Sequence, residues 1–139
     1  MIRFSTADTS YQLRDRTLLR NWLEHIARGQ KQRIASLDYI FCSDEYLYAM
    51  NVRFLAHRTY TDIITFDHRP APGPIEGECY ISIDRVRENA HTLQLSLRDE
   101  LHRVMVHGLL HLCGYGDKSP REQGRMRKLE DLSLNKRRF

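Results

Sequence analysis

The chain has 139 residues, 29% of them charged, and a formal net charge of +4. That length points to one domain, residues 1–139, able to bury a sizeable core without disulfides. No apolar run approaches the roughly 18 residues of a membrane span, and Met1 to Ser10 (MIRFSTADTS) lacks an apolar signal core, so the expectation is a cytoplasmic protein with no membrane partner.

Cys42, Cys79 and Cys113 lie far apart with no C-x-x-C spacing, the pattern of reduced thiols serving as small core side chains. Charge is uneven. Residues 118–139 carry eight Lys or Arg against three acids, an excess of +5, which leaves −1 for the rest. A basic end on a near-neutral body suits a polyanion such as nucleic acid, although a solvated helix face gives the same count.

Met1 to Thr6 is apolar at alternate positions, a strand. Leu13 to Arg28 places Leu18, Leu19, Trp22, Leu23 and Ile26 at helical spacing, with Gly29 as its stop. Ile34 to Cys42 alternates as a strand. Ser43 caps a second helix, Asp44 to about Leu55, whose aromatics Tyr46, Tyr48 and Phe54 are expected in the core. Tyr60 to Asp67 (YTDIITFD) is β-branched and aromatic, a strand. Residues 68–77 (HRPAPGPIEG), with three prolines and two glycines, are expected to be loop throughout. Glu78 to Ile83 is the next strand and pairs with the previous one across that loop. Asp84 caps a helix to about Leu93. A long helix follows, and then Ser119-Pro120-Arg121-Glu122, a capping box with Pro at the first helical position. This opens a last helix to about Leu132, with Met126 and Leu129 inward. The order β α β α β β α α α predicts an α+β fold with a small mixed sheet and about five helices.

The long helix carries the chemistry. Ser96 is its N-cap, Asp99 sits in its first turn, and Gly114 is the expected C-cap. His107 and His111, one turn apart, lie on one face and can converge on a small cation. Gly114-Tyr115-Gly116 lets the chain double back, so that Asp117 offers a third ligand. Two His and one carboxylate leave a position open, as catalytic zinc sites do. H-x-x-x-H alone is weak, since two histidines on a helix often make ordinary hydrogen bonds. Here they sit among Val104, Met105, Val106, Leu109, Leu110 and Leu112, where buried imidazoles need partners. Gly108 stands where a zinc peptidase of the H-E-x-x-H type has its general-base Glu, which argues against proteolysis. A helical glycine costs about 1 kcal/mol relative to Ala, so Gly108 is expected to admit another backbone. Glu100 lies two turns before His107 on the same face, a candidate base or a structural carboxylate.

HGLLHLCGYGD, residues 107–117, resembles the H-G-x-L-H-L-x-G-Y-D-H signature of the YbeY family of bacterial endoribonucleases. Asn51 to Phe66 resembles the family block ending P-T-D-V-L-S-F, with Thr61, Asp62 and Phe66 in register, and Glu78 to Asp84 resembles the strand after its G-D-I motif. The resemblance spans about residues 40–135. It implies a zincin-like α+β fold with one zinc, and a hydrolase that cleaves single-stranded RNA. It also implies a role in maturing the 3′ end of 16S ribosomal RNA and in ribosome quality control. The implied partners are single-stranded ribosomal RNA and the small ribosomal subunit, with no DNA. By position His107 and His111 match the first two ligands, and the family's third His falls on Asp117. An anionic third ligand makes a metal less electrophilic than three imidazoles do, and admits other divalent ions. The family's functional Arg falls on Leu55, and Arg58 or Arg53 is the nearest guanidinium to take its place at the scissile phosphate. An alternative reading is an RNA-binding factor of ribosome assembly whose metal site is structural or weakly active.

Overall fold

A computed structural model describes residues 1–139. The elements are β1 (Ile2–Thr6), α1 (Arg16–Gly29), β2 (Ile34–Cys42), α2 (Asp44–Leu55), β3 (Ile63–Asp67), β4 (Ile75–Ser82), α3 (Ile83–Leu93), α4 (Leu97–Leu112) and α5 (Pro120–Asn135). The four strands form one sheet in the order β1-β2-β4-β3. β1 pairs with β2, and β2 with β4, in parallel, while β3 runs antiparallel to β4 with Thr65 opposite Cys79. This is the mixed α+β arrangement expected, with the hairpin where its two strands predict it.

Side chains alternate across a strand, so β3 addresses two layers. Ile63 and Thr65 face α4, against Gly108. Ile64 faces the other way, in a small cluster with Cys42 and Leu47 of α2. The α4 side is thick. Leu19, Trp22, Leu23 and Ile26 of α1 join Leu101, Met105 and Leu109 of α4 in a cluster of 25 buried residues. The Tyr39 hydroxyl donates to the Met105 carbonyl at 2.8 Å, tying sheet to helix. On the opposite face α2 buries only Leu47 and Asn51.

Several boundaries differ from expectation, each for a local reason. Residues 75–77 are not loop but the start of β4, because Ile75 is fully buried and pairs with Ile34. Gly77 is a close-approach residue there: a Cβ would lie 2.8 Å from the Phe66 carbonyl oxygen and 2.9 Å from Leu112. β3 starts at Ile63 rather than Tyr60, since the preceding segment is held by the Asn51 amide, which donates to the Thr59 carbonyl at 2.8 Å. α3 is capped by Ser82, whose hydroxyl accepts from Arg85 N at 3.1 Å, and not by Asp84. Asp84 instead accepts from Asp44 N at the start of α2. α1 starts at Arg16 because Asp15 is left-handed, with φ 60°. α5 continues past Leu132 to Asn135 and buries Glu130 and Ser133 with Met126. The α2 aromatics are not core residues, since Phe54 is 57% exposed and Tyr46 38%.

Gly108 admits side chains rather than a backbone. A Cβ there would stand 2.7 Å from Cys79 Sγ and 2.9 Å from Ile63 Cδ1. We expect Gly108→Ala to destabilise the protein by about 1–3 kcal/mol, despite the better helix propensity of Ala. Adding Cys79→Ala should recover part of that loss in a urea-denaturation double-mutant cycle.

His102 gives a pH dependence. It is buried, with ring centroids 5.9 Å from Trp22 and 5.7 Å from Phe139, and its Nδ1 accepts from Arg137 Nη1 at 2.8 Å. Burial first, then the charges of Arg137 and Arg98, push its pKa from 6.5 down to about 4, against the opposing Asp99. The proton therefore favours the unfolded chain. Stability is full above about pH 6.5 and falls as the pH drops toward 4, by about 3 kcal/mol in all at about 1.4 kcal/mol per pH unit. Urea midpoints measured across that window should fall in the wild type, and fall less in His102→Gln.

Candidate metal centre

α4 begins where Ser96 Oγ accepts from Asp99 N at 3.0 Å, and its first turn carries Asp99 and Glu100. It ends at Cys113, the C-cap, one residue before the expected Gly114. Gly114 follows at φ 110°, a conformation that glycine adopts without strain, and the Tyr115 N–H returns to the Leu110 carbonyl at 3.1 Å. Two further carbonyls at this end are taken by side chains: Arg69 donates to Leu112 O, and Gln32 to Cys113 O at 2.9 Å. Beyond the turn the Glu122 carboxylate accepts from Lys118 N and Ser119 N, both at 3.1 Å, as part of the capping box of α5. Asp117 is thus held between two anchored helix ends.

The structure brings His107, His111 and Asp117 together, with one potential ligand atom from each within 4.8 Å of the others. Asp117 Oδ2 stands 3.2 Å from His111 Nε2 and 3.4 Å from His107 Nε2. Both Nδ1 atoms are engaged elsewhere. His111 Nδ1 lies 2.8 Å from the Tyr115 carbonyl oxygen, and His107 Nδ1 2.6 Å from Glu130 Oε2. A carbonyl oxygen only accepts, so His111 carries its proton on Nδ1, and a neutral ring then turns the Nε2 lone pair toward a carboxylate oxygen. A proton or a metal ion between the two atoms satisfies that contact. Atoms about 2.0–2.2 Å from one tetrahedral zinc stand about 3.4 Å apart, which matches these separations. The donor set fits a single small divalent ion.

Glu130, which the sequence reading passed over, completes the arrangement. It is buried, bonded to His107, and paired with Arg103 at 3.1 Å. Its signal was present: with Met126 inward on α5, a position four residues on shares the same face. Burial alone would lower the His107 pKa, but the hydrogen bond and charge of Glu130, then Asp117 and Asp62, outweigh it and raise the pKa. Such carboxylate–histidine pairs orient metal ligands.

The centre opens into a cleft of about 630 Å³. Its walls include Asn51 and Leu55 of α2, His57, Thr59, Asp62, and Thr65 of β3, with Lys118 beside Asp117. Asp62 is pushed up by burial, partly offset by His107. Glu100 does not line the cleft. It is buried behind it, with Oε1 unpartnered, and its pKa is raised by desolvation and then by Asp62. Arg58 is exposed and outside the cleft walls, between His57 and Thr59 which belong to them. His68 is not in the cleft; its ring lies 2.8 Å from Glu78. Cys113 does not join the cluster, and burial pushes its thiol up to about 11.

If Glu130 orients His107, Glu130→Gln should weaken metal binding by about 10- to 100-fold in a chelator-competition titration. Asp117→Ala should weaken it at least as much, and an undiminished affinity in that variant would remove Asp117 from the ligand set.

A solved structure of TM1509 from Thermotoga maritima is similar in fold, with a TM-score of 0.68 and 24% identity, covering 97% of this chain and 87% of that one. Among curated proteins, Endoribonuclease YbeY of Cytophaga hutchinsonii is 55% identical over 138 residues, 99% of this chain and 96% of its own length. Endoribonuclease YbeY of Flavobacterium psychrophilum is 41% identical over 134 residues, 96% of this chain and 94% of that protein. The family model described as Endoribonuclease YbeY matches residues 2–138. With the signature residues gathered at one centre and the match running almost end to end, the chain belongs to the YbeY endoribonuclease family.

Proposed function

We propose that this protein is a single-strand-specific, zinc-dependent endoribonuclease that acts as one domain in the cytoplasm. Its substrate in this reading is the 3′ end of 16S ribosomal RNA, met on the small ribosomal subunit during maturation and quality control. The observation that carries the proposal is the convergence of His107 Nε2, His111 Nε2 and Asp117 Oδ2 at the floor of an open polar cleft. No helix of the protein is long and apolar enough to cross a membrane.

His107, His111 and Asp117 would hold the metal. Bound there, zinc supplies a Lewis acid and lowers the pKa of a coordinated water toward about 7. Glu130 and the Tyr115 carbonyl hold both Nδ1 protons, so the two rings keep one tautomer and one orientation. Lys118 and His57 place cationic or hydrogen-bonding groups on the cleft wall, where backbone phosphates pass. Arg58, next to His57, adds a guanidinium at the rim that can hold a phosphate in a bidentate way. Glu100, buried behind the cleft wall, serves as a structural carboxylate rather than touching substrate. The basic C-terminal region contributes less than its sequence charge suggests, since Arg137 pairs with Asp99 of α4.

One observation favours a second reading, an RNA-binding assembly factor with weak or no cleavage. Leu55, an apolar residue, lines the cleft where the family signature has an arginine. A single assay separates the two. Labelled single-stranded RNA is incubated with wild type, with and without chelator, and with His111→Ala. Cleavage should be abolished by either treatment while binding falls much less, and should weaken steeply as salt rises. Cleavage indifferent to both sinks the metallonuclease; binding without any cleavage leaves the assembly factor.

A further inference from the structure

On the sheet face opposite the metal centre, α2 leaves an open groove of about 590 Å³. Tyr46, Met50, Arg53 and Phe54 lie along one face of α2, at helical spacing, and look across at Phe66, His68 and Tyr80 of the β3–β4 hairpin. The rings are ordered. Phe66 and His68 stack at 6.4 Å with an interplanar angle of 8°, and Tyr46 and Tyr80 stack at 6.4 Å and 21°. Phe54 meets Phe66 edge-on, at 6.1 Å and 85°, and the Arg53 guanidinium sits 5.2 Å from the Phe54 ring. Most of the Phe54 ring faces solvent. A contiguous exposed patch of aromatics, Met and Arg marks an interaction surface.

The groove and the metal cleft share both of their walls. α2 turns Met50 and Phe54 into the groove and the adjacent Asn51 and Leu55 into the cleft. β3 turns Phe66 into the groove and Thr65 and Asp67 into the cleft. β3 is the edge strand of the sheet, so a polymer bound in the cleft reaches the rings by passing around that free edge. That polymer must offer flat apolar faces to the rings and an anionic link to Arg53. Glu78, the groove's acid, is already engaged by His68 at 2.8 Å and by the Tyr80 hydroxyl at 3.3 Å.

We propose that the groove between α2 and the β3–β4 hairpin is a base-stacking subsite that holds unpaired nucleotides flanking the scissile bond of single-stranded RNA. Bases stack on such rings with little regard to sequence, each contributing about 1–3 kcal/mol. Paired bases have no free face to offer, so the groove also selects single strands. The proposal rests on the ribonuclease reading above.

The test uses the full chain and fluorescently labelled RNA. Anisotropy titrations and cleavage kinetics compare single strands of about 12 and about 4 nucleotides for wild type, Phe54→Ala, Phe54→Trp and Tyr46→Ala/Phe54→Ala. Phe54→Ala should lose about 5- to 100-fold in affinity for the longer strand, with a matching rise in KM and little loss on the shorter one. Phe54→Trp should restore it. Unchanged affinity and KM for the longer strand in both alanine variants, with wild-type cleavage intact, overturns the subsite alone and leaves the groove to a protein partner. A wild type that neither binds nor cuts single-stranded RNA overturns the ribonuclease reading, and the subsite with it.

Discussion

The architecture depends on one steric contact, the seat of α4 on the sheet at Gly108. A missing side chain lets the helix settle against Cys79, Ile63 and Thr65, and the residue just before the gap is His107. The position of the first imidazole relative to β3, and so to Asp62 and the cleft wall, is set by van der Waals contact in a close-packed interior. Such contacts do not stretch as a hydrogen bond can. The opposite anchor, Tyr39 to the Met105 carbonyl, fixes the helix from the middle of the sheet. With the helix immobilised at both points, a turn of only a few residues suffices to bring Asp117 back over the two rings.

Electrostatics then decides what such a rigid centre can contain. Asp62, Glu100, Asp117 and Glu130 surround two imidazoles, and Arg103 is the guanidinium paired with one of them, the buried Glu130. Burial raises the pKa of Asp62 and Glu100, and the carboxylates raise that of His107, so desolvation and charge both favour proton uptake there. A divalent cation answers the negative field of the carboxylates without protons. A carboxylate in the third position suits that field: His107, His111 and Asp117 could hold a divalent cation, which Asp117 would make less acidic than a third imidazole.

Much of this was legible in the sequence. The order of nine elements, the hairpin and the clustering of His107, His111 and Asp117 follow from periodicity, caps, the four-residue histidine spacing and the glycine turn, all of which are local signals. The departures arise where a distant partner decides. Ile75 looks like loop beside its prolines and becomes strand because Ile34 is there to pair with it. Phe54 looks like core because aromatics usually are, and stays exposed because α2 alone covers its face of the sheet. Glu130 was hidden by its charge. A carboxylate on an inward helix position reads as a surface residue until the imidazole it serves is placed, and that imidazole lies 23 residues earlier in the chain.

The position of Glu130 also bears on when the molecule becomes active. The three clustered side chains come from the last third of the chain, and the carboxylate bonded to His107 comes from the final helix. The same helix closes the first one, since the Trp22 indole donates to the Ser133 carbonyl at 2.8 Å. During synthesis, neither the α1 layer nor the metal centre can be finished until nearly the whole polypeptide has emerged. The last helix to be made is therefore the one that completes both, and the delay is written into the order of the helices.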